Sequence, residues 1–303
     1  MITRDTNAFL DFASELAPDF GPATARAAFL VAPDGFARAE QSAGDNRYMA
    51  DADVYDAARA SQQHRALHRS LATALPTVCF AGDPDTPDAL FPNNVFATAP
   101  GRSIIGRMRH PVRQREALRA DIRGFFSDTL GYHEVDLSTQ EHPCELTGAL
   151  VVDRARGLGF CGLSERCDEA GAQLMHEALD LRATLLFDLA PGEYHTNVVL
   201  AVLAGRATLI CPDGFADPAV VEAIAALYDP HAMRLSPAEH AAFAGNAIAL
   251  TADRVWMSAG AQDALAPATR AALQAAGFEI AGVQMDAIEA GGGSLRCCVG
   301  EIF

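Results

Sequence analysis

The nine histidines include no HExxH pair and the seven cysteines no CxxC pair, so the ligand spacing of a zinc site is absent. There is neither a GxGxxG nor a GxxxxGKS/T loop, and no other feature signals a nucleotide, dinucleotide or metal; no cofactor is expected. A basic surplus is also lacking. The formal charge of -16 leaves no cationic face to displace counterions, which excludes nucleic acid and anionic membrane as partners. No apolar run is long enough to span a bilayer, and Asp5, Asp11, Glu15 and Asp19 interrupt the amphipathic opening segment where a leader would need an apolar core. A soluble, cytoplasmic protein is the expectation. The odd cysteine count, scattered through apolar settings such as VCFAG, GFCGLS and LICPDG, argues for free thiols in a reducing compartment, with Cys161 and Cys211 in the core.

What is present is a core-forming composition, half of the 303 residues being apolar, and a repeated order of elements. NNVFATAPGRSIIG reads as two short strands about a Pro-Gly turn, VRQREALRADIRGFFSDTLG as helical, and HEVDLS as a strand. The same order recurs in TGALVVDRARGLGFCG, EAGAQLMHEALDL and TLLFDLA, then in HTNVVLAVLAGRATLIC, PAVVEAIAALYD and MRLS. NAIALTADRVWMSAG, APATRAALQAAG and FEIAGV make one more. Near the N-terminus, AAFLVAP, a helical VYDAARASQQHRALHRSLATAL and TVCFAG lack one hairpin strand, which the C-terminal LRCCVGEIF is placed to supply. Units this small cannot bury their own apolar faces, so they must pack on one another.

The polar residues that open the hairpins keep the same period. Asn94, Glu145, His195, Asn246 and Cys297 follow at steps of 51, 50, 51 and 51. Equivalent positions in a ring of modules converge on its axis, which predicts that an acid, an imidazole and a thiol meet there beside two amides. Those are the types that covalent acid-base catalysis uses. Polar residues are common at turns and a lone histidine is more often structural, but five in step favour a site. Alternation along a strand would send Cys297 and Cys298 to opposite faces, leaving Cys298 to packing.

PDGFARAEQSAGDNRYM, FPNNVFAT, ELTGALVVDR, YHTNVVL, FAGNAIAL and GGGSLRCCVGEIF resemble the guanidino-group-modifying enzymes of the pentein fold. That superfamily includes arginine deiminases, dimethylarginine hydrolases, amidinotransferases and succinylarginine dihydrolases. The likeness runs from about Phe29 to the end and is strongest to the citrulline-utilisation hydrolase branch. It implies an α/β-propeller of five pseudo-symmetric modules around a central axis, residues 1–303 forming one catalytic domain with 1–27 as an N-terminal helical extension. It also implies Cys297 as nucleophile, His195 as acid-base group and Glu145 as its partner. The family's substrate-gripping carboxylates fall at Asn94 and Asn197; Asn93, Asn46, Asn246 and Arg296 complete the expected binding set. Where the family has L-E-G-T-G this chain has C-E-L-T-G, so Leu146 stands at a position where glycine would accept a positive φ.

The chemistry then expected is hydrolysis of a C-N bond. A ureido or guanidino carbon is a poor electrophile that a thiolate can attack, and an imidazole can protonate the departing nitrogen and then activate water. An imidazole near Cys297 should lower its pKa. Neutral amides at Asn94 and Asn197 suit a neutral ureido group better than a guanidinium, which points to citrulline, converted to ornithine with release of ammonia and carbon dioxide. Arginine deiminase or dihydrolase activity, amidino transfer and a non-catalytic binding role are the alternatives. Arg47, Arg107, Arg113 and Arg296 are candidates for the substrate carboxylate. The partner expected is a small ureido or guanidino amino acid, and self-association is compatible with all of this.

Overall fold

A computed structural model describes residues 1–303. Sixteen strands form five separate sheets, none closed on itself. In chain order they are β1 (Ile2–Thr3), β2 (Ala27–Val31), β3 (Thr77–Phe80), β4 (Phe96–Ala99), β5 (Arg102–Ile105), β6 (His133–Asp136), β7 (Leu150–Asp153) and β8 (Leu158–Leu163). Then follow β9 (Ala183–Asp188), β10 (Leu200–Leu203), β11 (Ala207–Ile210), β12 (Ala232–Arg234), β13 (Ile248–Ala249), β14 (Arg254–Ser258), β15 (Glu279–Val283) and β16 (Gly300–Ile302). Four sheets repeat one plan, an antiparallel hairpin whose second strand takes a parallel third: β4-β5-β6, β7-β8-β9, β10-β11-β12 and β13-β14-β15.

The fifth sheet completes that plan with the two ends of the chain. β16 lies antiparallel to β2 with Gly300 opposite Phe29 and Ile302 opposite Ala27, and β3 lies parallel to β2, so the C-terminal segment does supply the missing strand. Gly300 is required there, because a Cβ would come within 2.1 Å of the Phe29 ring. Ahead of β2, the helical part of residues 1–27 is Thr6–Ser14, capped by the Asp5 carboxylate accepting from the amides of Asn7 and Ala8. Its buried Phe9 meets Phe160 edge-on at 5.7 Å, and β1 adds in parallel to β9.

Each parallel crossover carries helical structure, as the right-handed connection between parallel strands requires. Ala57–Ala72, Glu169–Ala178, Pro218–Leu227 and Pro267–Ala275 are continuous, and the first three begin at the side-chain caps Asp56, Asp168 and Asp217. The stretch between β5 and β6, expected as one helix, is instead a series of short helical turns. It breaks at Arg119, which is extended (φ -63°, ψ 93°) while its guanidinium is held by Asp121 and Ala81 O. With helices over one face and neighbouring sheets over the other, strands such as β4 and β11 are buried along their whole length. The largest apolar cluster joins β10 and β11 to Val221 and Ile224 of the Pro218–Leu227 helix; each such side chain contributes about 1.5–3 kcal/mol of transfer free energy.

One feature of this plan positions the site. The polar residues that open the modules stand before the strands, in or immediately ahead of single helical turns for all but Asn246: Pro92–Asn94, Leu146–Ala149, Thr196–Val199 and Leu295–Cys298. These turns pack on one another. Cys297 and Cys298 thus lie in a 3-10 turn, so strand alternation does not separate them, contrary to expectation.

Candidate active site

Cys297 is 1% exposed and lines a narrow cleft, whereas Cys298 is fully buried among apolar side chains. The Cys297 sulfur accepts from Asn246 Nδ2 at 3.3 Å and lies 3.8 Å from Asn197 Oδ1. Those amides are themselves fixed, Asn246 Nδ2 donating to Asn197 O at 2.8 Å and Asn197 Nδ2 to Thr147 O at 3.0 Å. Burial pushes the Cys297 thiol above its ordinary range, and the hydrogen bond from Asn246 only partly offsets this. The expected lowering of its pKa is therefore reversed: desolvation outweighs the neighbouring donors, and the buried imidazole is itself held neutral.

That imidazole belongs to His195, fully buried, with Nε2 2.8 Å from Glu145 Oε2. Burial lowers its pKa against the pull of Glu145, and its Nδ1 has no partner within the protein. Burial alone would raise the Glu145 carboxyl. Arg166, at 3.3 Å from Oε2, and the bond to His195 outweigh it and hold Glu145 well below the usual carboxylate range. Arg109 N donates to Glu145 Oε1 at 3.1 Å. Gly148 keeps the space between this pair and Asn94 open, since a Cβ there would come within 2.5 Å of Asn94 Oδ1 and 2.8 Å of His195 Cε1. Leu146 does occupy a left-handed backbone position, with φ 25°.

The cleft beside Cys297 carries charge of both signs. Asp88 is buried with Oδ2 accepting from Ser42 Oγ at 2.7 Å and Oδ1 unpartnered, and burial pushes its carboxyl up. Arg113 is next to it, donating from Nη2 to Asp88 O at 3.3 Å and paired with Glu116 at 2.8 Å. Arg166 forms the third charged wall, bonded to Asp45 and crossing the Tyr194 ring at 5.5 Å. Asn94, Asn46 and Phe91 also line the cleft.

The structure thus brings Glu145 to His195 and Asn246 to Cys297, and sets Asn94 and His195 on either side of the space Gly148 leaves open. Asn94 and Asn46 reach the cleft, and Asn46 Nδ2 donates to Gly292 O at 3.2 Å. Asn93 is buried behind Asn94 with both side-chain polar atoms unpartnered. Asn197 and Arg296 instead line a separate cavity, although Asn197 Oδ1 is 3.8 Å from the Cys297 sulfur, and Arg296 is committed to Glu301 at 2.9 Å. Arg47 pairs with Glu193 and Arg107 donates to Ser138 O, which leaves Arg113 as the one anticipated arginine in the cleft. Asp88 and Arg166 were not anticipated. Asp88 sits in the acidic run DPDTPDAL, where it looks like its solvated neighbours, and Arg166 meets Asp45 across 121 positions.

The family profile described as N,N dimethylarginine dimethylhydrolase, eukaryotic, matches residues 32–303. An N(G),N(G)-dimethylarginine dimethylaminohydrolase of Mycobacterium tuberculosis is 30% identical over 218 residues, 71% of this chain and 66% of that protein, so the match spans just under two-thirds of the relative's length. Among solved structures, the N-terminal domain of ArgZ, an arginine dihydrolase from the ornithine-ammonia cycle in cyanobacteria, superposes with a TM-score of 0.80 at 19% identity. That superposition covers 91% of this chain and 97% of the other. AgrE in its ternary complex with ornithine and NAD+ gives 0.80 at 20% identity, covering 91% of this chain and 39% of that one. A dimethylarginine dimethylaminohydrolase variant in adduct with S-methyl-L-thiocitrulline gives 0.68 at 19%, covering 92% and 100%. At these identities the structural likeness is one of fold.

Proposed function

Because the chain belongs to the N,N dimethylarginine dimethylhydrolase family, within the pentein superfamily, we propose that it is a cysteine-dependent hydrolase of guanidino amino acids. The observation that carries this reading is that Cys297 opens onto the same cleft as Asp88, Arg113 and Arg166. An amino acid presents an ammonium beside a carboxylate. Asp88, with its free buried oxygen, suits the first, and the two guanidinium groups suit the second. The side chain of such a substrate then extends toward Asn94 and the sulfur.

In this mechanism the resting thiol and imidazole are both neutral, and the arriving guanidinium supplies the positive charge that favours thiolate. Cys297 gives its thiol proton to Nδ1 of the neutral His195 as the sulfur attacks the guanidino carbon. As the tetrahedral adduct collapses, the C-N bond breaks, and the departing nitrogen leaves as ammonia, or as an alkylamine from a methylated substrate. It takes its proton through Nδ1 of His195, whose imidazolium form Glu145 stabilises. His195 then removes a proton from water, which attacks the thiouronium carbon and releases the ureido product and the thiol. A second cycle on that product releases ammonia and carbon dioxide and leaves ornithine.

Asn94 favours a second reading in which citrulline is the preferred substrate. Its amide, which lines the cleft, can donate to a ureido oxygen, which a carboxylate could not do. We read the five sheets as modules about one axis, with β7 against β10, β10 against β13 and β16 against β4, so that 1–303 acts as a single catalytic unit with 1–27 as its extension. Seven free thiols support a reducing, cytoplasmic setting. The test is turnover of arginine, monomethyl- and dimethylarginine and citrulline, with products read by mass spectrometry. Ammonia or alkylamine release from at least one, abolished in Cys297→Ala, is the expected result; no turnover of any would sink the reading. If citrulline is preferred, Asn94→Asp should move the citrulline/arginine ratio toward arginine by about tenfold, from one charge-assisted bond of roughly 1.5–3 kcal/mol.

A further inference from the structure

Next to Asn197, β7, β10 and β13 wall a cavity of about 40 Å³ that shares no lining residue with the cleft. Its charged residues do not balance. Arg296 is paired with Glu301 at 2.9 Å. Arg154, only 9% exposed, has no carboxylate within salt-bridge reach. Its Nη1 donates to Thr98 O at 3.0 Å and its Cζ lies 4.3 Å from the Phe303 ring centre, both uncharged partners, while Nε and Nη2 make no hydrogen bond within the protein and keep some contact with solvent. Within this cavity two guanidinium groups face one carboxylate, although Arg154 also borders a wider pocket of about 210 Å³ lined by Arg102, Asp180 and Phe303.

Burial lowers the Arg154 pKa to about 10, which still leaves it charged at neutral pH. A guanidinium held this way is costly unless a counter-charge reaches it. An anion of one negative charge would bring the cavity to neutrality, whereas a dianion would meet the Glu301 carboxylate with charge to spare. The small volume excludes phosphate esters and amino acids. We propose that this cavity is a binding site for a small monovalent anion, a halide or a planar oxyanion of the size of bicarbonate, held by Arg154. The lining includes Asn197, whose Oδ1 lies 3.8 Å from the Cys297 sulfur, so an occupant would sit near the nucleophile without occupying the cleft.

The test uses the full chain at fixed pH and ionic strength, with sodium gluconate, too large for the cavity, exchanged stepwise for chloride or bicarbonate. A saturable rise in Tm of about 2–4 °C is expected for wild type, the size of shift that binding to the native state alone gives a chain of this length. Arg154→Met, which keeps the stem and removes the charge, should abolish the rise. Half-saturation at lower bicarbonate than chloride would assign the site to the oxyanion that carbon dioxide forms in water, and the opposite order to a halide of the medium. If the variant does not fold, crystals of wild type soaked in iodide serve instead, with an anomalous peak beside Arg154 expected. Equal Tm in every salt, a rise that survives Arg154→Met, or a cavity without iodide would overturn the proposal.

Discussion

At the scale of single residues, burial decides more than proximity. Cys297 has an amide donor at 3.3 Å, yet its thiol is raised because the sulfur has lost its water. Alkylation of the substrate-free protein should therefore keep accelerating with pH through 9, with no plateau near neutrality. Peptide mapping after brief iodoacetamide treatment should place the label on Cys297 and not on the packed Cys298. A rate that levels off near pH 7, or label on Cys298, would refute this. Leu146 poses the opposite question, strain against packing. Its positive φ costs about 1–3 kcal/mol, but its fully buried side chain fills the space over Gly106, and deleting a buried leucine costs about 2–5 kcal/mol. Leu146→Gly should thus lower stability in urea titrations by roughly 1–3 kcal/mol. A gain would mean that strain dominates.

Among the elements, the segment 33–51 controls the cleft. Its short helix Glu40–Ala43 and the following turn bring Ser42, Asn46 and Met49 over the substrate cleft. The segment is pinned mainly by Asp45, which accepts from Arg166 Nε at 3.0 Å, lies 3.0 Å from His110 Nε2 and pairs with Arg109 at 3.2 Å. Asp45→Ala should lower kcat/KM about 10–100-fold, chiefly through KM, because charge-assisted bonds of this kind are worth about 1.5–3 kcal/mol and their loss frees the cover and Arg166 together. Tm should change little, since the apolar packing of the sheets is untouched. A kcat/KM within twofold of wild type would show that the segment does not need this anchor.

For the whole molecule, stability against pH follows from what the sheets and helices enclose. His64, on the Ala57–Ala72 helix, is 3% exposed with Nε2 unpartnered, and burial pushes its pKa down to about 4. In the unfolded chain it titrates near 6.5. The folded value is the lower one, so the contribution is fully present above pH 6.5 and is lost as pH falls through 4. Between pH 7 and 4.5 wild type should lose about 2–3 kcal/mol relative to His64→Leu in denaturant titrations. Parallel curves for the two proteins would show that His64 is not held neutral by the fold.

The order of elements, the repeat of about fifty residues and the residues Asn94, Glu145, His195, Asn246 and Cys297 were legible in the sequence because they are local or periodic. A hairpin or an amphipathic helix is written in neighbouring residues, and a repeated module repeats its marks. The pairing of β16 with β2 was legible for the same reason, as the one strand missing from a plan seen elsewhere. Only the tertiary structure decided which charges line the cleft. Asp88 and Arg166 carry no periodic mark, and Arg166 finds Asp45 across 121 positions. It also reversed the direction expected for the Cys297 pKa and placed Asn197 and Arg296 on the lining of a separate cavity. The physical reason is common to all of these: desolvation and long-range charge pairing depend on what the rest of the chain packs around a group, and no window of sequence contains that information.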